Sequence, residues 1–322
     1  SAAAKPGSGA QAGSPRLEAA LNTCYGGTIK AQIVVEDDLV LALDVANVDA
    51  ETPFAKLLES VAKSSTSAST SAGSRLGGTL SGTAQLTGQG TTLLSFLTGL
   101  RGTVEARLEN GFLTTDNQKA PFKSLRMRFQ GEGKTSAGRS TSVPYTGQWF
   151  ADIETPAYRG TANLNGAVLF STSNWLPIRI ESVPARLSGS GFGFGGTADC
   201  TLSFESNAQS LTFAGLQAAF STTRGTTTPF PSAPKNSLAG TLRVRHLQQA
   251  PTWEGTLNLS VPDLRSFLVD QGYGVVGALP PDTLKSLRVS GDLYLSEQDV
   301  RLSKLHGQVD KTSFSGSVSR QA

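Results

Sequence analysis

The sequence predicts a mainly β protein: twisted or curved antiparallel sheets built from repeated strand units, with a few short helices. Three observations carry that expectation. Apolar and polar residues alternate in TVEARLEN, SLRMRFQG, DCTLSFES and GTLRVRHL, the period of a strand with one dry and one wet face. Only 16% of the 322 residues are charged, and Ser, Thr and Gly stand where long helices would carry Lys and Glu; that balance favours short strands and turns. Glycines and Ser/Thr clusters separate the alternating stretches at hairpin-like spacing.

Residues 1–15, SAAAKPGSGAQAGSP, are rich in Ala, Gly and Ser and lack the apolar centre of a signal peptide. They read as a linker or cloning remnant, with Ser1 pointing to a piece of something longer. Asp37–Asp38 lies between IVVE and LVLALDV and reads as a hairpin turn. AETPFAKLLESVAK offers Thr52 as N-cap and Pro53 at the first helical position, with Phe54, Leu57, Leu58 and Val61 on one face. TTLLSFLTGL predicts a second helix, ending near Gly99, whose Leu93, Leu94, Phe96 and Leu97 pack on the sheet. DLRSFLVDQG predicts a third from Asp263 to Gly272, and PPDTLKSL about two turns after Pro281. Three polar, turn-rich stretches read as loops: 63–75, 131–142 and 221–237. The last is the expected boundary between a β region over 16–220 and a second module with short helices over 238–322.

An internal repeat runs through this pattern. LALDVANVDAETPFAKLLESV, GTAQLTGQGTTLLSFLTGL and GTLNLSVPDLRSFLVDQG are each a strand, a polar elbow and a small apolar helix. Repeated strand units exposing one apolar face suggest an elongated, extendable sheet. That face is either an open apolar groove or a dry core closed against another layer; the pattern leaves both open.

Chemistry is harder to place. His246 and His306 lack metal-type or triad-type partners in the sequence, and no G-x-S-x-G elbow is present. The carboxylates Asp37–Asp38 and Asp282 with Asp292 lack calcium-loop spacing. GSGFGFGG contains a formal G-x-G-x-x-G, but TADCTLSFE follows as a strand where the dinucleotide fingerprint needs a helix. It reads as a glycine-rich strand with Phe192 and Phe194 on one face. The net charge of +3 and the scattered Trp149, Trp175 and Trp253 give no nucleic-acid footprint. Cys24 and Cys200 share no motif and read as buried thiols, although a disulfide between them remains open. The expectation is a non-enzyme without metal or cofactor.

Two segments resemble the AsmA family of Gram-negative envelope proteins. The first is NTCYGGTIKAQIVVEDDLVLALDVANVDAETPFAKLLESV, continuing after a Ser-rich loop into LGGTLSGTAQLTGQGTTLLSFLTGLRGTVEARLENGFL. Tyr25, Gly26 and Gly27 match the family's aromatic-Gly-Gly, Leu100 to Gly102 its L-x-G, and Asn110–Gly111 a strand end. The second runs from Trp253 to Ser319, with Gly255, Leu257 and Leu259, then Asp263 to Leu268, Thr283 to Val289 and Asp310 to Gly316; Asp310-Lys311-Thr312 departs slightly from the family pattern. Together they cover roughly half the chain, with the C-terminal-type segment preceding the middle-type one, as in an internal piece of a larger repeated protein. The resemblance implies a periplasmic module of a parent anchored in the inner membrane, similar to bridge-like lipid-transfer proteins. It also implies phospholipid or another acyl lipid as ligand, and envelope proteins as possible partners. Val104, Leu108, Leu125, Met127 and Phe129 are the candidate lipid-facing residues, with Arg126 and Arg128 on the opposite face. A charge at Leu108 or Met127 is then expected to leave the protein folded. Two alternatives are a structural or assembly factor for outer-membrane proteins and a secreted β-rich surface protein.

Overall fold

The computed structural model describes residues 16–35, 38–51, 75–89, 96, 98–115, 118–134, 142–172, 177–222, 236–247 and 250–321. Sixteen strands form one antiparallel sheet that does not close, ordered in space as in sequence. They are β1 (Arg16–Cys24), β2 (Gly27–Val35), β3 (Leu39–Asp49), β4 (Arg75–Gly88), β5 (Arg101–Thr115), β6 (Gln118–Gly133), β7 (Ser142–Glu154) and β8 (Tyr158–Ser171). The remainder are β9 (Pro177–Gly191), β10 (Phe194–Glu205), β11 (Ser210–Thr222), β12 (Asn236–Arg245), β13 (Thr252–Val261), β14 (Leu287–Leu295), β15 (Asp299–Val309) and β16 (Thr312–Gln321). The chain forms two compact units: residues 1–156 with 165–177, and residues 157–164 with 178–322. The loop expected as a boundary, 221–237, instead joins strands that pair directly, with Phe220 opposite Asn236 and Leu211 opposite Val244.

Turn chemistry explains the hairpins. Tyr25 and Gly26 both hold positive φ, 48° and 80°, and Phe192 and Gly193 repeat the pattern at 51° and 83°. Two left-handed residues in succession give the turn whose twist matches two antiparallel strands. The aromatic-Gly-Gly of the sequence is therefore a turn followed by the first residue of β2. The expectation for GSGFGFGG is corrected in the same way. Phe192 is not in a strand beside Phe194; it sits at the turn, 79% exposed, while Phe194 packs near Phe220 and Phe267. Val35 pairs with Leu39, as a hairpin around Asp37–Asp38 requires.

Bulges punctuate the strands. Asn47, Ser182, Gly215 and Lys304 have φ of 56°, 48°, 60° and 49°, and each sits where the register slips by one residue. The backbone N–H of Asn47 donates to the Ser81 hydroxyl at 3.2 Å, and that of Ser182 to the Ser203 hydroxyl at 3.2 Å. A bulge of this kind increases local twist and takes up one extra residue. Apolar residues on its two sides are then three apart rather than two. Phe213 and Leu216 still join one cluster.

The third expected helix is present as α1 (Leu264–Asp270). The Asp263 carboxylate accepts from the Ser266 N–H at 3.0 Å, and Gly272 follows at φ 92°. The two turns of helix expected in PPDTLKSL are absent. Residues 281–284 form turns, and Leu284 has φ 59°. Helical backbone there is displaced by Asp310, whose carboxylate accepts from the N–H groups of Leu284 and Ser286 at 2.8 and 2.9 Å. Of the second expected helix, Phe96 and Thr98 are helical; Leu93, Leu94 and Leu97 lie outside the described residues. So does the first, apart from Ala50 and Glu51.

The buried apolar side chains of the first unit form two clusters. One cluster joins Phe96, Leu100, Val143 and Tyr145 to Leu39, Leu41, Leu86, Phe129, Trp149 and Phe170. The other joins Ala50, Leu108 and Phe122 to Leu76, Leu80 and Leu125. The second unit centres on Ala185, Cys200, Leu202 and Leu216. Among the described residues no second sheet is present.

Candidate functional site

Strand register places the five sequence candidates side by side on one face of the first unit. Val104 is opposite Phe129, Ala106 opposite Met127, and Leu108 opposite Leu125. The rows continue to Trp149, Ala151 and Ile153 on β7 and to Ala84, Gly82 and Leu80 on β4. On β3, Leu43 and Val45 extend the first two rows.

These rows are unlike one another. The outer rows are bulkier, Ala84 apart, and contribute Phe129 and Trp149 to one cluster and Leu80, Leu108 and Leu125 to the other; Leu108 is only 4% exposed. The middle row, Val45–Gly82–Ala106–Met127–Ala151, has small side chains on three of its five strands. By side-chain size Gly82, Ala106 and Ala151 lie lower than most of their neighbours, so the row is an apolar stripe running across the strands, with Met127 standing between Ala106 and Ala151. Five strands at about 4.8 Å spacing make it about 19 Å long. Met127 rises from it 51% exposed. The row needs register to be seen, because Gly82, Ala106 and Ala151 come from separate strands; the five sequence candidates include only its Met127.

One wall is reinforced by aromatic packing. The Phe129 and Trp149 rings lie 4.0 Å apart, Tyr145 meets Phe129 edge-on at 6.1 Å, and Phe170 stacks on Trp149 at 5.7 Å. The indole N–H of Trp149 donates to the Gly166 carbonyl at 3.2 Å. Burial pushes the Tyr145 hydroxyl up to about 12, so it stays protonated throughout the physiological range.

The reverse face is wet and charge-paired. Arg126 meets Glu105 at 2.6 Å, Lys123 meets Glu154 at 3.1 Å, and Arg101 pairs with Asp38. In the second unit Arg245 meets Glu254 at 2.6 Å and Lys304 meets Asp292 at 2.9 Å. The Lys304 ammonium and then the Thr256 hydroxyl hold the Asp292 carboxyl below its usual range. An open hollow of about 940 Å³ lies on this polar side of the second unit, lined among others by Ser237, Asn258, Arg288, His306 and Gln308. These are the outward residues of neighbouring strands, and no titratable pair converges there.

The second unit repeats the apolar face. Leu242 is opposite Phe213 and Gly255, Leu238 opposite Ala218 and Leu259, and Leu259 opposite Val289. Cys200 is a free, buried thiol in this layer. Burial, and secondarily the Asp199 charge, raise its pKa.

His246 follows the end of β12 with φ 56°, and His306 lies in β15 opposite Ser290 and Ser315. Among the described residues no group of three or more His, Cys, Asp or Glu could hold a metal ion, and no helix is long and apolar enough to cross a membrane. Compared with known proteins, the chain matches no family model, no curated protein and no solved structure.

Proposed function

We propose that this chain is a non-enzymatic, AsmA-like periplasmic module that holds or conducts lipid on the apolar face of its sheet, within a parent anchored in the inner membrane. The observation that carries the reading is the apolar row of Val45, Gly82, Ala106, Met127 and Ala151, whose small members would form a shallow channel beside the half-exposed Met127. An acyl chain laid along Gly82, Ala106 and Ala151 removes apolar surface from water on both partners, at about 0.8 kcal/mol per buried CH₂. Such binding needs no specific polar residue, which fits a face built of aliphatic and small side chains. Phospholipid or another acyl lipid is the ligand class.

Mass spectrometry of lipids that co-purify with the protein tests this. Wild type is expected to retain acyl lipid and Met127→Asp to retain little, with both proteins folded; absence of retained lipid in wild type overturns the reading. Replacement of both His246 and His306 by Gln is expected to leave retention unchanged.

A further inference from the structure

The segment after α1 has a property that sheet architecture does not require. Gln271–Pro281 contains no charged residue, and Asp270 and Asp282 flank it. Within it Tyr273 is 62% exposed, Val275 83% and Leu279 40%, and Val269 at the end of α1 adds another 45%. Large apolar side chains protruding from a loop are disfavoured in water unless something covers them.

The loop is also held in shape. Arg265, on α1, donates to the carbonyls of Gly277, Leu279 and Pro280 at 2.9, 2.8 and 2.8 Å. The N–H groups of Tyr273, Val276 and Leu279 donate to Leu268, Tyr273 and Val276. Residues 274–278 form a 3₁₀ turn in which no residue is buried. Polar backbone that is bonded internally can enter an apolar medium at much lower cost than open backbone. The three bonds from Arg265 satisfy the carbonyls of Gly277, Leu279 and Pro280, at and beside the exposed Leu279.

We propose that Gln271–Pro281 is a membrane-contact loop that inserts Tyr273, Val275 and Leu279 into the interfacial layer of a lipid bilayer. A fluid bilayer fits these observations better than a protein partner. The surface is exposed along the 3₁₀ turn, carries no charged side chain for an ion pair, and has the carbonyls of Tyr273, Val276, Gly277, Leu279 and Pro280 already satisfied. Tyrosine, with an apolar ring and a polar hydroxyl, suits the headgroup boundary, and Asp270 and Asp282 set the depth at which insertion stops. This inference goes beyond lipid retention by the sheet, because it concerns docking on a membrane.

Flotation of the full chain with phosphatidylcholine vesicles tests it. Wild type is expected to float with the vesicles. Val275→Asp and Leu279→Asp are each expected to lower the bound fraction roughly tenfold or more, from the lost apolar burial alone. Val275 is so exposed that its variant is expected to melt like wild type and to co-purify with the same lipid, which separates failure of docking from failure of the sheet as a lipid site. Tyr273→Trp is expected to add an emission component quenched by brominated phosphatidylcholine. Failure of wild type to float, or flotation of Val275→Asp at the wild-type level, overturns the proposal. Loss of self-association in Val275→Asp without vesicle binding by wild type overturns it too and assigns the loop to a protein contact.

Discussion

Met127 and Leu108 occupy adjacent strands of the same face but have opposite fates on substitution. Met127 is half exposed in the apolar row, whereas Leu108 is packed against Ala50 and Phe122. A charge at Met127 can remain hydrated, so Met127→Asp is expected to keep the wild-type circular dichroism spectrum and melt within a few degrees of it. Leu108→Asp buries an unpaired carboxylate at a cost of several kcal/mol and is expected to give unfolded or insoluble protein. The expectation that a charged variant stays folded is therefore kept for Met127 and dropped for Leu108, which is 4% exposed. Alternation assigns a side chain to a face; whether that face is covered at a given point depends on what the strand ends and elbows bring over it. Cys200 offers a separate residue-scale test. Its thiol is buried with a raised pKa, so in a Cys24→Ser background it is expected to resist a thiol reagent until denaturant unfolds the second unit. Prompt labelling in buffer would contradict the packing described for Leu202 and Leu216.

At the scale of elements, the strands were legible because alternation is a direct image of the pleat. The bulges were not, since Phe213 and Leu216 break the period of two, and only the left-handed Gly215 between them restores the face. A three-residue apolar step across Asn, Gly or Ser is the signal that could have located these sites. The segment PPDTLKSL misled for a different reason. Its local propensity is helical, but Asp310, 24 residues beyond Ser286, binds its backbone N–H groups. The N–H of Ser286, and after it those of Lys285 and Leu284, hold the Asp310 carboxyl below the usual carboxylate range. Its contribution is therefore complete above pH about 4 and is lost as pH falls through the lowered value. Amide exchange at Leu284 and Ser286 is expected to accelerate in that acid window, and Asp310→Asn to remove the pH dependence. The second expected helix is represented by Phe96, 8% exposed against Val143 and Tyr145. Phe96→Ala is expected to destabilise by about 3 kcal/mol, measured as a lower denaturation midpoint with an unchanged m-value.

For the whole molecule, antiparallel sheet architecture followed from the sequence, and the position of its compact units did not. Composition marks 221–237 as a connector, but a polar connector says nothing about whether the strands it joins are neighbours. Because β11 and β12 pair along their length, cleavage within residues 223–235 is expected to leave two fragments that co-elute in native buffer and separate only in denaturant. Fragments that part without denaturant would mean the loop divides independently stable bodies. The spatial order of the strands, identical to their order along the chain, also bears on how the protein is made. Each strand finds its partner in the segment just synthesised or about to follow, so little loop-closure entropy opposes any single pairing. Folding can proceed as the chain emerges, without an early strand waiting for a distant one. The unpaired growing edge, itself an aggregation-prone surface, is covered as soon as the next hairpin forms.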